Sequence, residues 1–381
     1  MRLCVVAIVL AIVLASGHAP AWAQAGWYLI PSFQLTEVFD DNIFGSTSGQ
    51  RSDFISRFSP GLQTGYRSQP LTLLASTSFD AEVFANNPQQ NDAMRGKHAG
   101  MNFKYLQILP LTLGLDVAYT ETRSLSTLTP ILTPDVPANT LEFGRRRTTF
   151  LSASPSVAYE FTPLTSGTSG YSYTNTTLEG GTANTSHQGR LGLSHRFTPL
   201  DTGTFDYRLN VFEDSTSSTT TFHALTVGWR RQLTPQTTVS VQAGPRFSGG
   251  TVSPDFNALL AHEFKMFDQR ARASLGYSRS EGFVIGQAGS VKIESVTGSI
   301  GVQPLQLLQM SLGGSFTRLS GGTSSDTTAY GVTAEASYQI LRWLTARASY
   351  RFGLQDQNTG DIRHNVFSLS LAASYPIRID Q

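Results

Sequence analysis

Charged side chains lie two or four positions apart in several alternating segments, and this spacing determines what chemistry they could perform. In the segment 344–354, Arg347 and Arg351 alternate with apolar and aromatic residues such as Ala348 and Tyr350. Successive side chains of a β-strand point to opposite faces, so these charges would share one polar face. That face could select charged solutes, or its charges could form ion pairs between neighbouring strands; we expect most of them to be structural. The charged residues predicted on this face are Asp80, Glu82, Asp116, Arg190, Arg196, Asp206, Arg208, Arg230, Arg246, Glu263, Arg272, Glu335, Arg347 and Arg351.

Residue types that perform catalysis or bind metals do not cluster along the chain. The seven histidines are dispersed, and the single cysteine is Cys4. His262 and Glu263 are adjacent in a predicted strand and would point to opposite faces. The sequence therefore predicts no enzyme, no metal site and no cofactor. A net charge of +1 gives no support to nucleic-acid binding either.

The N-terminus has the pattern of a secretory signal peptide. Arg2 precedes an apolar run, Val5–Leu14, which is too short to span a bilayer as a helix. Small-residue cleavage motifs follow at Ala21-Trp22-Ala23 and, in the next frame, at Ala23-Gln24-Ala25. We predict that residues 1–23 are a signal peptide and that residues 24–381 are a single cysteine-free domain.

The period of the alternation predicts β-strands, and its persistence predicts long ones. In the segment 111–120, leucine, valine and tyrosine occupy the odd positions, whereas Thr112, Gly114 and Asp116 are among the residues at even positions. Several such runs reach about 10 residues, the length of a membrane-crossing strand, while soluble strands average about 5–6. Only 14% of residues are charged, against about 25% in soluble domains. This composition suits a wall with one apolar face and one weakly charged polar face.

Short connections alternate with longer ones, which is typical of bacterial outer-membrane barrels. Longer Gly/Ser/Thr/Asn-rich stretches are predicted as loops at 45–53, 86–97, 249–254 and 321–327. Eight short turns separate nine predicted hairpins, so the fold class is all-β: a transmembrane antiparallel up-and-down β-barrel of about 18 strands. Because the alternation shifts near 291–302, 16 strands remain an alternative. The predicted turns are Gln69–Thr72, Ile108–Leu111, Phe161–Leu164, Phe197–Leu200, Leu233–Gln236, Phe264–Phe267, Gln303–Gln306 and Ile340–Trp343.

The longest connection, Ser124–Arg147, ends in three consecutive arginines, Arg145, Arg146 and Arg147. A connection of this length is commonly functional. It could fold inward and constrict the pore, or it could cover the mouth. The arginines could alternatively bind lipopolysaccharide phosphates at the outer rim.

The stretch Pro31–Phe44, with its Pro-Ser opening, alternating strand and Asp-Asp-Asn-Ile step, resembles the first strand of the β-barrel porin 2 family. The resemblance implies an outer-membrane barrel in a Gram-negative cell that serves as an exit channel for secreted exopolysaccharide or capsule. Its partners would be outer-membrane lipid and lipopolysaccharide, the barrel assembly machinery and separate periplasmic polysaccharide-export proteins. Two alternatives stay open: a general or solute-selective porin for small-molecule uptake, and a structural or surface barrel without transport.

Overall fold

A computed structural model describes residues 26–108, 110–123, 145–181, 183–215, 219–282, 291–321, 326–356 and 360–379. The predicted signal peptide, residues 1–23, lies outside these ranges, as does the segment 124–144 of the longest connection. Among the described residues, no helix is long and apolar enough to cross a membrane.

The described strands form one closed antiparallel sheet. The sheet has nineteen strands, and the last has only two residues, which leaves eighteen long ones. The first strand pairs with the second on one side and with the eighteenth on the other, so the sheet has no free edge between them. This confirms the predicted 18-stranded up-and-down barrel. The strands are β1 Gly26–Asp40, β2 Asp53–Arg67, β3 Leu71–Phe84, β4 Asp92–Ile108, β5 Leu111–Thr122, β6 Thr148–Thr162, β7 Thr165–Leu178, β8 Ala183–Arg196, β9 Asp201–Asp214, β10 Thr219–Thr234, β11 Thr237–Ser248, β12 Thr251–Met266, β13 Gln269–Gly282, β14 Val291–Leu305, β15 Leu308–Ser320, β16 Thr327–Leu341, β17 Leu344–Asp356, β18 Ile362–Ser374 and β19 Ile377–Arg378, with a short 3₁₀ turn at Pro88–Gln90.

The two faces of the wall are distinguished by which side chains meet across strands. Arg208 on β9 contacts Asp255 on β12, although three strand spacings of about 4.8 Å separate these strands. Side chains of non-adjacent strands can meet only on the concave side, so this is the interior face. The opposite face exposes large apolar side chains such as Phe58, Leu191 and Leu369.

Connections at the two ends of the barrel differ in length, as predicted. We call the end with the short turns the turn end and the opposite end the loop end. Some details of the prediction were wrong. The turn expected at Gln303–Gln306 lies at Gln306 and Leu307, between β14 and β15. The turn expected at Phe264–Phe267 lies at Phe267 and Asp268, which both adopt positive φ (56° and 58°). The predicted loops 86–97 and 249–254 are shorter, because β4 begins at Asp92 and β12 begins at Thr251.

The interior at the loop end is packed with apolar side chains. Val38, Ile43, Ile55 and Phe84 form a cluster in which no member is more than 7% exposed. Val291 and Ile293 of β14 are likewise buried at the interior (1% each). These inward apolar residues explain the shift in alternation that left 16 strands open; β14 is one continuous strand.

Candidate functional site

The pairing register places every charged residue predicted on the polar face on the interior face of its strand. Asp206, for example, faces Gly192 and Thr226, and Glu263 faces Arg272. The same parity holds for Asp80, Glu82, Asp116, Arg190, Arg196, Arg208, Arg230, Arg246, Glu335, Arg347 and Arg351. They do not form a single cluster; the structure divides them into groups along the wall.

The first group is a network of paired charges on β8 to β12. Arg190 donates to Asp206 at 2.6 Å (Nη2 to Oδ1), and the amide of Gln242 donates to the other oxygen of the same carboxylate at 2.9 Å. Arg208 and Arg246 both donate to Oδ2 of Asp255, at 3.1 and 2.8 Å. These are charge-assisted hydrogen bonds, which fix the arginine side chains more firmly than neutral ones would. For these pairs the structural interpretation holds.

A second pair, on neighbouring strands, follows the same rule. Arg347 of β17 lies 2.9 Å from Glu335 of β16 (Nε to Oε1). Both side chains are about half exposed (52% and 40%), so this ion pair is screened by water and contributes about 0–1 kcal/mol. It orients the arginine without burying its charge.

Another group consists of basic side chains that have no acidic partner within 4 Å among the described residues. Arg196 is the last residue of β8, and Arg230 lies near the turn end of β10. Both side chains are exposed. Lys265, Arg270 and Arg272 lie on adjacent strands, and Lys265 directly faces Arg270. In the register of β12 and β13, the one acidic residue that faces any of these three is Glu263, which lies opposite Arg272. We call these five residues the turn-end basic patch; sequence reasoning named three of them and missed Lys265 and Arg270.

Arg145 belongs to a cluster at the loop end. Its guanidinium lies 3.0 Å from Glu82 and 3.7 Å from Asp40. Its Nε donates to the carbonyl oxygen of Ile43 at 3.0 Å, and its Cζ lies 4.8 Å from the ring centroid of Phe84. The start of β6 is thereby tied to the interior of β1 and β3. This contact favours the inward of the two predicted arrangements at this point of the connection, while residues 124–144 lie outside the described residues.

Glu82 is the centre of this loop-end cluster. Three arginines surround its carboxylate: Arg57 at 2.7 Å, Arg145 at 3.0 Å and Arg95 at 3.4 Å. The Glu82 side chain is 2% exposed, and Arg95 is 4% exposed. Sequence reasoning identified Glu82 but neither Arg57 nor Arg95.

Arg146 and Arg147 are both exposed. The backbone N–H of Arg147 donates to the carboxylate of Glu179 at 3.1 Å. The three consecutive arginines therefore occupy different environments, because Arg145 is bound to Glu82 whereas Arg146 and Arg147 are exposed. Their predicted contact with lipopolysaccharide phosphates stays a prediction.

Among the described residues, Asp40, Asp41 and His364 each place one potential metal-ligand atom within 4.8 Å of the others. Hydrogen bonds within the protein account for this arrangement. His364 Nε2 and Asp40 Oδ1 are 2.7 Å apart, and both oxygens of Asp41 accept hydrogen bonds from Asn365. We interpret these contacts as the polar seam that joins β1 to β18.

Comparisons with known proteins support the barrel and its porin-like architecture. The chain is similar to the structure of OccAB4 from Acinetobacter baumannii (TM-score 0.51, 11% identity, 93% of this chain and 99% of that one). It is also similar to OpdO (TM-score 0.51, 10% identity, 92% and 98%) and to OpdK with vanillate (0.53, 11%, 92% and 99%), both from Pseudomonas aeruginosa. No protein-family model and no curated protein matches the sequence. At these identities the likeness establishes the shared fold alone.

Proposed function

We propose that the protein is an outer-membrane pore through which small solutes diffuse passively, with a preference for anions. The observation that carries this proposal is the combination of a closed wall, an apolar outer face and a polar interior with unpaired basic residues at one end. The proposed role is therefore that of a porin for small-molecule uptake, and not that of an exit channel for polysaccharide.

The outer face supports placement in a membrane. Leu191, Val227, Leu275 and Leu369 are 53–64% exposed on it. Exposed apolar surface costs about 25 cal/mol per Å² in water, and soluble monomers rarely display contiguous apolar patches of this extent. A lipid environment removes that cost. Secretion through residues 1–23 and insertion by the barrel assembly machinery are expected steps on the way there.

The turn-end basic patch supports the anion preference. A channel mouth lined with one sign of charge raises the local concentration of counter-ions. Arginine also binds carboxylates through two parallel hydrogen bonds. The OpdK structure holds vanillate, an organic anion, and by analogy we expect small organic anions to be among the solutes of this pore.

Export of a polysaccharide has less support than small-solute passage. The similar structures described above are porins. A polymer would also have to pass the loop-end interior, where Phe84, Ile55 and Arg145 are packed together. Deleting the gene is therefore expected to leave surface polysaccharide unchanged; loss of the polymer would restore the export interpretation.

The test is the ion selectivity of the purified protein in a planar lipid bilayer. With a KCl gradient, the reversal potential of the wild-type pore should indicate anion preference. Arg230→Gln should shift it toward cation preference, because one interior charge is removed. The control is its neighbour: Arg231 points outward, 3.7 Å from Asp201, so Arg231→Gln should leave the reversal potential unchanged.

Two results would contradict the proposal. Equal shifts for Arg230→Gln and Arg231→Gln would show that the basic patch does not face the ion path. A protein that inserts into the bilayer without any conductance would be a structural or surface barrel without transport.

A further inference from the structure

A groove of about 440 Å³ runs along the outer face of the barrel across β14 to β18. Its floor consists of small side chains: Ala336 faces Ala348 in the register of β16 and β17, and Ala334 lies next to them. Large apolar side chains form its two walls, and they are 40–51% exposed. The walls are Met310 and Leu312 on one side, and Tyr350 and Phe367 on the other.

Strand β17, which forms part of the groove floor, begins at the turn end. Between Ala348 and the turn end, the outward positions of β17 are Ala346 and Leu344. The strand begins directly after the turn residues Arg342 and Trp343. Ala346 faces the outward Tyr338 of β16, which is 44% exposed, so the small side chains of the floor end there. Beyond them the strand leads to a basic and aromatic turn. Arg342 is exposed and has no acidic side chain within 4 Å among the described residues.

This arrangement has two parts of different chemistry. The groove offers an apolar channel whose size lies within the range of about 300–1,000 Å³ found for small-molecule sites. The turn offers a guanidinium, which binds phosphate, and an indole, which is typical of the boundary between lipid tails and headgroups. A molecule that has a phosphate at one end and a hydrocarbon chain at the other matches both parts.

We propose that this groove and Arg342 form a binding site for a phospholipid, with one acyl chain in the groove and the phosphate at Arg342. The lipid belongs to the periplasmic leaflet, because the short turns of bacterial barrels lie on the periplasmic side. The inference rests on the membrane placement given under the proposed function, but not on conduction by the pore. A second copy of the chain is the other conceivable occupant. Its convex outer wall would rest on the rims formed by Tyr350 and Phe367 and leave the alanine floor uncovered, whereas a flexible chain can follow the floor.

The experiment measures lipid binding to the detergent-purified, folded protein by native mass spectrometry. Phosphatidylglycerol is the probe, and diacylglycerol with the same chains is the comparator that lacks the phosphate. We expect retention of one phosphatidylglycerol and weaker retention of diacylglycerol. Arg342→Gln should lower phosphatidylglycerol affinity about fivefold, the effect of one basic residue at a membrane surface, and should leave diacylglycerol binding unchanged.

Ala336→Trp tests the groove itself, because an indole on the floor would occupy the space of the chain. It should abolish retention of both lipids. The matched controls are Ala75→Trp, outward on the distant strand β3, and Arg67→Gln, exposed at the turn end of β2. Neither should change lipid binding.

Conductance of the same variants separates this inference from the proposed function. If Ala336→Trp and Arg342→Gln conduct like the wild type but phosphatidylglycerol binding is also unchanged, the lipid site is refuted and the pore is not. If no variant conducts but the lipid pattern appears as expected, the pore fails and the lipid site stands. Dissociation of an oligomer into monomers by Ala336→Trp, without any lipid effect, would assign the groove to a second copy and overturn the proposal.

Discussion

Replacing Glu82 by glutamine should destabilise the barrel more than any other single change in an interior charge. The carboxylate is 2% exposed and neutralises the arginines around it, of which Arg95 and Arg145 are themselves 4% and 9% exposed. With Glu82→Gln, Arg95 loses its only carboxylate within 4 Å among the described residues, whereas Arg145 keeps Asp40 at 3.7 Å.

The magnitude follows from how well each arginine can be compensated. Removing one member of a buried ion pair costs about 3–5 kcal/mol. Arg57 is 21% exposed and can be hydrated, and Arg145 retains the Ile43 carbonyl oxygen. We therefore expect the lower end of the range, about 3 kcal/mol.

The assay is urea-induced unfolding of the protein in lipid vesicles, followed by the mobility of the folded form in unheated SDS gels. Asp116→Asn is the matched control: this carboxylate is interior but exposed, and its hydrogen-bond partner is the amide of Asn102. It should change the free energy of unfolding by no more than about 0.5 kcal/mol. Equal stability of Glu82→Gln and Asp116→Asn would refute the reasoning, because it would mean that the cluster is hydrated.

Two further predictions concern the wall. A Cβ at Gly244 would clash with the carbonyl oxygen of Leu225, so Gly244→Ala should reduce the yield of folded barrel in the same gel assay. Gly189→Ala is the control and should not reduce the yield, because a Cβ there meets nothing within 4 Å. Equal yields would show that β10 and β11 can separate at this point. Asp255→Asn should increase anion preference, because the interior loses the negative charge that Arg208 and Arg246 share. A reversal potential shifted toward cations would show that the net interior charge does not set the selectivity of the pore.

The strands and turns of the wall were predicted well because they are determined by residues that are close together in the sequence. Strand period, strand length and turn position depend on neighbouring residues, so Arg347 and Arg351 could be assigned to one face from their spacing alone. Asp255 was missed because it directly follows the segment 249–254, which was interpreted as a loop. The alternation was not extended back to this residue. In the structure this residue lies on β12 and accepts hydrogen bonds from two arginines.

The interior contacts could not be predicted from spacing. Glu82 forms an ion pair with Arg145, which is 63 residues further along the chain. The residues around either one give no indication that the two side chains are in contact. The apolar filling of the loop end was also hidden, since Val291 and Ile293 look like outward residues out of phase. Such contacts depend on how far the closed sheet curves, and that is a property of all eighteen strands together.

The seam between β1 and β18 has a consequence for how the molecule assembles. The hydrogen bond between His364 and Asp40 closes a segment of 324 residues, and for a flexible chain the entropic cost of such a closure is about 5 kcal/mol. Nine paired positions of the seam, from Ser32 opposite Ser374 to Asp40 opposite Val366, must offset it. A nascent polypeptide therefore presents two unsatisfied edges until its final long strand has been delivered, and stalling just before that strand would leave an aggregation-prone ribbon in place of a cylinder.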